Sequence, residues 1–178
     1  MFRKIFGFSR YLYYKLKSLL LNNGNISFNT RILLPISLNF EVHKKSEVKL
    51  GKVIFNKNVS IRVRESAKLI IGTGVNFNNA CIVTCRGDIN IGNNVLFGPN
   101  VMVFDHDHDY LAKDYANNFK IGKIVIEDNV WIGANVIILK NTTIKKNSVI
   151  AAGTVVRGTV EENSIVYNKR DIIQKAKG

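Results

Sequence analysis

Two of the chain's three histidines stand in one acidic run, Asp105-His106-Asp107-His108-Asp109. Imidazole is the side chain whose ordinary pKa lets it take and return protons near neutral pH. In extended backbone His106 and His108 point to one side, and Asp105, Asp107 and Asp109 point to the other. A carboxylate beside an imidazole orients it and favours its charged form. The segment therefore suits a general base, a metal ligand pair or a structural cluster, and spacing alone leaves these open. A metal site needs a third ligand, and the remaining histidine, His43, lies far upstream. Cys81 and Cys85, the only cysteines, lack the second pair or histidine cluster of a zinc signature, and are expected as small apolar residues of the core.

A rigid element must hold such a segment, and the flanking sequence supplies one. Ile126, Ile132, Ile138, Ile144, Ile150 and Val156 recur at an unbroken spacing of six. Four residues after each stand Val130, Val136, Thr142, Ser148, Thr154 and Val160, all small or β-branched. Neither a helix nor an alternating strand has that period. A triangular solenoid does: each unit of six makes one flat side and one corner, and stacked coils bury a continuous core. Asn and Gly at the corners tolerate left-handed backbone. Looser copies run through Ile71, Val75 and Phe77 and through Ile91, Val95, Phe97 and Val101, with a degenerate stretch over 40–70. The pattern breaks over 104–123, which predicts a loop thrown out from one corner, and such loops often carry function.

The predicted fold is an all-β solenoid, a left-handed parallel β-helix of hexapeptide repeats over 23–166. A basic amphipathic helix is expected at 1–22 and a short basic helix at 167–178. Residues 1–21 combine Arg3, Lys4, Arg10, Lys15 and Lys17 with Phe, Tyr, Ile and Leu and contain no acid. That composition fits a helix lying in an anionic membrane interface, or one packed on the body of the protein or a neighbouring subunit. The 26 basic against 13 acidic residues leave a net charge of +13, which favours anionic partners without choosing among them. No base-reading motif points to nucleic acid. With no convincing secretory signal or spanning segment, the expected location is the cytoplasm, with peripheral contact at the inner face of the membrane.

The segments IGNNVLFGPNVMVFDHDHDY (91–110) and IVIEDNVWIGANVIILKNTTIKKNSVIAAGTVV (124–156) resemble the hexapeptide-repeat acyltransferases. The similarity is to the branch of galactoside, maltose and xenobiotic acetyltransferases and of polysaccharide O-acetyltransferases. The resemblance implies a homotrimer with active sites between subunits, acetyl-CoA as co-substrate, no required metal, and a sugar or polysaccharide acceptor. By position it puts the catalytic base on His108, with His106 as the rival. It assigns donor contacts to Trp131, Gly133, Ala134, Ala151, Ala152 and Gly153, with Arg157 among the cations for the coenzyme's phosphates. Asn78, Asp105 and Tyr110 become candidate acceptor contacts, although a corner asparagine would equally explain Asn78. The proline-containing turn that commonly follows the last repeat is missing from SIVYNKRDIIQK.

The expected activity is O-acetyl transfer to a sugar hydroxyl of a surface polysaccharide or its precursor. Two other readings stay open: a non-catalytic β-helix that binds an anionic surface, and an N-acetyltransferase acting on an amino sugar.

Overall fold

A computed structural model describes residues 37–169, the backbone of Ile26–Phe28, and Leu12. The helices expected over 1–22 and 167–178 lie essentially outside these residues. No helix among the described residues is long and apolar enough to cross a membrane.

The chain winds into a parallel β-solenoid of about six turns, consistent with a left-handed β-helix. Its strands fall on three faces. The first carries Glu47–Leu50, Lys68–Ile71, Asp88–Ile91 and Lys123–Ile126. The second carries Val53–Phe55, Val75–Phe77, Leu96–Phe97, Trp131–Ile132, Val149–Ile150 and Ile165–Val166. The third carries Asn39–Val42, Ser60–Val63, Ile82–Cys85 and Met102–Phe104. Ile137–Ile144 and Val155–Val160 continue from the third face around a corner onto the first. Strands inside the stack pair in parallel with the strand one turn above and one turn below, so their backbone groups are satisfied along each face.

The run of six marks the core. Ile126, Ile132, Ile138, Ile144, Ile150 and Val156 are all buried, as are Val130, Val136, Thr142, Ser148, Thr154 and Val160. The residues that turn the corners keep the same count: Asn129, Asn135, Asn141 and Asn147 have φ between 57° and 60°, and Gly153 has φ 70°. Asparagine suits the position because its short amide tolerates left-handed backbone and bonds nearby polar groups. Here the amides also bond each other from turn to turn. Asn94 donates to Asn129 (3.2 Å), Asn129 to Asn147 (3.2 Å) and Asn147 to Asn163 (3.1 Å), one ladder along one corner.

Residues 38–104 form the same prism from a looser pattern. Phe55, Phe77 and Phe97 stack inside it at 5.5 and 4.3 Å between ring centroids. Cys81 and Cys85 are buried in this half, as expected of small apolar residues. Burial raises the Cys81 thiol to about 11 and Cys85 still further, with Asp105 adding to the effect on Cys85. Neither is a nucleophile at neutral pH.

Candidate active site

The break in the repeat is a β-hairpin. His106–His108 pairs antiparallel with Phe119–Ile121, and the chain between them turns back over residues 109–118. The hairpin leaves the prism at the corner between the third face and the first. Asp105 anchors its base. This carboxylate is fully buried, yet it accepts hydrogen bonds from the backbone amides of Arg86 (2.9 and 3.0 Å) and Gly87 (2.7 Å). The Gly122 amide donates to the Asp105 carbonyl (2.7 Å) and closes the loop. A Cβ on Gly87 would lie 2.5 Å from the Ile121 side chain, so only glycine fits beneath the returning strand. On the other side Lys140, itself buried, reaches out with Nζ 3.1 Å from Asp107 Oδ2 and donates to the Lys120 carbonyl (3.2 Å). A buried ammonium needs such partners, and here they tie the hairpin to the next turn of the solenoid.

The two histidines are thereby given different surroundings. His106 Nδ1 lies 3.0 Å from Asp105 Oδ1, its side chain is 13% exposed, and its ring sits edge-on to Phe104 and Phe119. His108 is exposed, and its Nδ1 is 2.9 Å from the Tyr115 carbonyl. A carbonyl only accepts, so Nδ1 is the donor here, and in the neutral ring the lone pair is on Nε2. The His108 ring packs at 4.5 Å on Phe119, whose own ring lies 3.4 Å from the Arg86 guanidinium carbon. His108 is an oriented imidazole whose ring stands at an exposed position.

The expected acceptor contacts fare unequally. Tyr110 is exposed near the hairpin tip, with Lys120 Nζ 5.1 Å from its ring. Asp105, expected to touch an acceptor, has no exposed surface, and its oxygens are taken by the two amides and His106. Its part is to shape the hairpin. Asn78 stands at the corner after Val75–Phe77, where its Oδ1 accepts from the Asn79 amide (2.7 Å).

The expected donor residues gather along one edge. Trp131 is 56% exposed on the second face, and Gly133, Ala134, Ala151, Ala152 and Gly153 follow it at the corner that also holds Asn78. Gly133 has a packing reason for its identity as well, since a Cβ there would sit 2.6 Å from the Ala152 nitrogen on the next turn. Arg157 stands apart from this set, exposed where Val155–Val160 rounds the corner below the hairpin. In a three-sided prism the second face lies opposite the corner from which the hairpin leaves. Within one chain, therefore, His108 and Trp131 do not meet.

His43 contacts Glu41 (Nε2–Oε1 2.6 Å) and Arg64, and no cluster of three or more metal-ligating acids, histidines or cysteines exists among the described residues. Arg86 is the site residue that sequence reading passed over, and the contacts that join it to Phe119, and Lys140 to the hairpin, had no signal in the spacing. Arg86 and Lys140 stand on the solenoid and Tyr115 and Phe119 in its interruption, and they meet only because the hairpin folds back.

Residues 123–158 match the family described as bacterial transferase hexapeptide (six repeats). A galactoside O-acetyltransferase of Lactococcus lactis is 37% identical over 107 residues, which cover 58% of this chain and 51% of that protein. A putative lipopolysaccharide biosynthesis O-acetyl transferase of Escherichia coli is 24% identical over 155 residues, covering 82% and 68%. The solved structure of a maltose O-acetyltransferase from Clostridium difficile superposes with a TM-score of 0.52 at 30% identity, over 68% of this chain and 63% of that one. The chain thus spans only about half of the Lactococcus protein it matches.

Proposed function

Starting from a chain related to the hexapeptide-repeat acetyltransferases, we propose that it moves an acetyl group from acetyl-CoA to a hydroxyl of a sugar. The observation that carries this is the His108 tautomer: Nδ1 is committed to the Tyr115 carbonyl, which leaves Nε2 as a base at an exposed position. A sugar hydroxyl is a weak nucleophile, and proton removal during attack is worth roughly 10²–10⁴ in rate. His108 Nε2 takes the hydroxyl proton as that oxygen bonds to the thioester carbonyl carbon. The tetrahedral oxyanion is held by a backbone amide. It collapses by breaking the carbon–sulfur bond, and the imidazolium returns the proton to the leaving thiolate. The products are the O-acetyl sugar and coenzyme A, with no enzyme-bound acyl group. His106, sunk beside Asp105, positions the hairpin and does not act as the base.

The donor lies along the edge of Trp131, Gly133, Ala134, Ala151, Ala152 and Gly153, where small residues let a thin pantetheine arm approach the main chain. Since this edge is remote from His108 in the same chain, the working site is completed by a neighbouring copy, and a homotrimer with three shared sites meets that need. Arg157 serves there as a phosphate-facing cation. The acceptor is a unit of a surface polysaccharide or its precursor. Residues 1–21 carry the protein to the anionic inner face of the membrane, and their deletion should release it from vesicles containing anionic lipid.

The test is acetyl-CoA thioester cleavage with a panel of sugars. His108→Ala should lower turnover at least about a hundredfold while leaving the circular dichroism and melting curve unchanged. An active His108→Ala variant would remove His108 from the role of base. Absence of any sugar-dependent cleavage by the wild type would favour a non-catalytic β-helix.

A further inference from the structure

Two arginines beside the hairpin have no part in the acetyl-transfer scheme. Arg64 and Arg86 occupy adjacent turns of the third face. Ser60–Val63 pairs in register with Ile82–Cys85, and the Arg64 amide donates to the Cys85 carbonyl (2.8 Å). Neighbouring strands are about 4.8 Å apart, so the two side chains leave one surface a single rung apart. Arg62, on the strand that leads into Arg64, adds a third guanidinium nearby.

The neutralising charge here is incomplete. Glu41 is shared among His43 (Nε2–Oε1 2.6 Å), Arg64 (Nη1–Oε1 3.0 Å) and Arg62 (Nε–Oε2 3.8 Å), and Arg64 Nη1 also lies 3.0 Å from His43 Nε2. Arg86 has no ion-pair partner among the described residues. The buried Asp105 carboxylate is already occupied by backbone amides and His106. The Nε atoms of Arg64 and Arg86 are buried without a hydrogen-bond partner. Burial, and after it the charge of Arg64, lowers the pKa of Arg86. Guanidiniums held this close repel each other, and an anion placed between them would replace that repulsion with two attractions.

The cluster is also within reach of the base. One Phe119 ring touches both the Arg86 guanidinium, at 3.4 Å to its carbon, and the His108 ring, at 4.5 Å between centroids. Guanidinium and imidazole are therefore no farther apart than the sum of those distances, a span that one substituted sugar ring can bridge.

We propose that the acceptor is an acidic sugar, whose carboxylate or phosphate is held by Arg86 and Arg64 while the hydroxyl to be acetylated faces His108. This rests on the acetyl-transfer reading of the site and names its substrate class. Arginine is suited to the task because its planar fork binds carboxylate or phosphate oxygens in pairs. Specificity follows as well: a neutral sugar leaves the two cations facing each other across a partly dry surface.

The experiment uses the full chain and three probes: a methyl glucuronide, a hexose 6-phosphate and a neutral methyl glucoside. Binding is measured by calorimetry, and acetyl transfer from acetyl-CoA in parallel. At least one anionic probe should bind about tenfold more tightly than the neutral one, with the excess shrinking as salt is raised. The uronate and phosphate arms tell the two sources of charge apart. Arg86→Gln and Arg64→Gln should each remove most of the preference, and Arg86→Lys should restore part of it. The Asp105 anchor uses the Arg86 backbone, so these changes leave the hairpin tied. Equal affinity for all three probes, no binding of either anionic probe, or a preference that survives both glutamine variants would overturn the proposal. Binding is also read in His108→Ala. An anion preference there without turnover in the wild type would discard acetyl transfer and keep the acidic-ligand site. Turnover of neutral sugars without anion preference would do the reverse.

Discussion

The two halves of the solenoid reach one cross-section by different means. In residues 126–160 the turns take 18 residues and the last shortens to 16, the inward positions are isoleucine, valine, threonine or serine, and the corners are turned by Asn or Gly. In residues 38–100 the turns take 20 to 22 residues, three stacked phenylalanines help fill the interior, and corners are turned by Lys45, Ser66 and Ala80 as well as Asn58, Asn94 and Asn100. The comparison shows that what a solenoid requires is stacking of faces, not identity of units. A turn can gain residues at its corners provided the inward residues still meet those above and below. The strict half is the economical solution, and the loose half obtains its contacts through larger side chains.

The largest test of this contrast is access to the two thiols, both of which lie in the loose half. Cys81 and Cys85 should react with a thiol reagent at least about a thousandfold more slowly in the native protein than in denaturant. Fast labelling of the folded chain would mean that the loose half opens independently of the strict one. Core truncation comes next. Phe77→Ala, which empties the middle of the phenylalanine stack, should cost about 3–5 kcal/mol, and Ile138→Ala in the strict half about 2–5 kcal/mol, by urea unfolding. A markedly smaller loss at Phe77 would show that the loose turns are poorly packed.

Corner exchanges probe smaller terms. Asn147→Ala puts a methyl side chain at φ 58° and removes two steps of the amide ladder, for a loss of about 1 kcal/mol. Ala80→Gly, at φ 58° in the loose half, should gain up to about 1 kcal/mol. Opposite signs would support the view that the loose half carries backbone strain that the strict half avoids. The smallest effect is on acid stability. Glu41 is held below its ordinary value by its hydrogen bond to His43 and, after that, by Arg64 and Arg62. Its stabilisation is therefore full above the unfolded value of 4.5 and disappears as pH falls through the lower folded value. Because the group is part-exposed, only a few tenths of a kcal/mol are expected. The melting temperature of Glu41→Gln should change less than that of the wild type as pH drops below 4.5.

The strict repeat was legible in the sequence because burial along a solenoid is periodic in the chain itself. Six aliphatic positions and the six that follow them by four residues are all in the core. The break over 104–123 was legible for the same reason. What the break becomes was not. Asp105, expected to contact an acceptor, is a buried anchor, because whether a carboxylate meets solvent or a backbone amide depends on the turn stacked beside it. Lys140 lies in the strict repeat at an outward position, yet it is buried as a strut under the hairpin.

By itself, then, the sequence determined the prism, its core and its left-handed corners, since each is set within a few residues of chain. Tertiary structure alone decided which side chains share a surface. Uneven turn lengths set Arg64 beside Arg86, the returning strand of the hairpin places Phe119 between Arg86 and His108, and three-sided winding puts Trp131 across the prism from the base. Those neighbours are not adjacent in the chain, and the number of residues each turn consumes, with the hairpin's own register, fixes which of them meet.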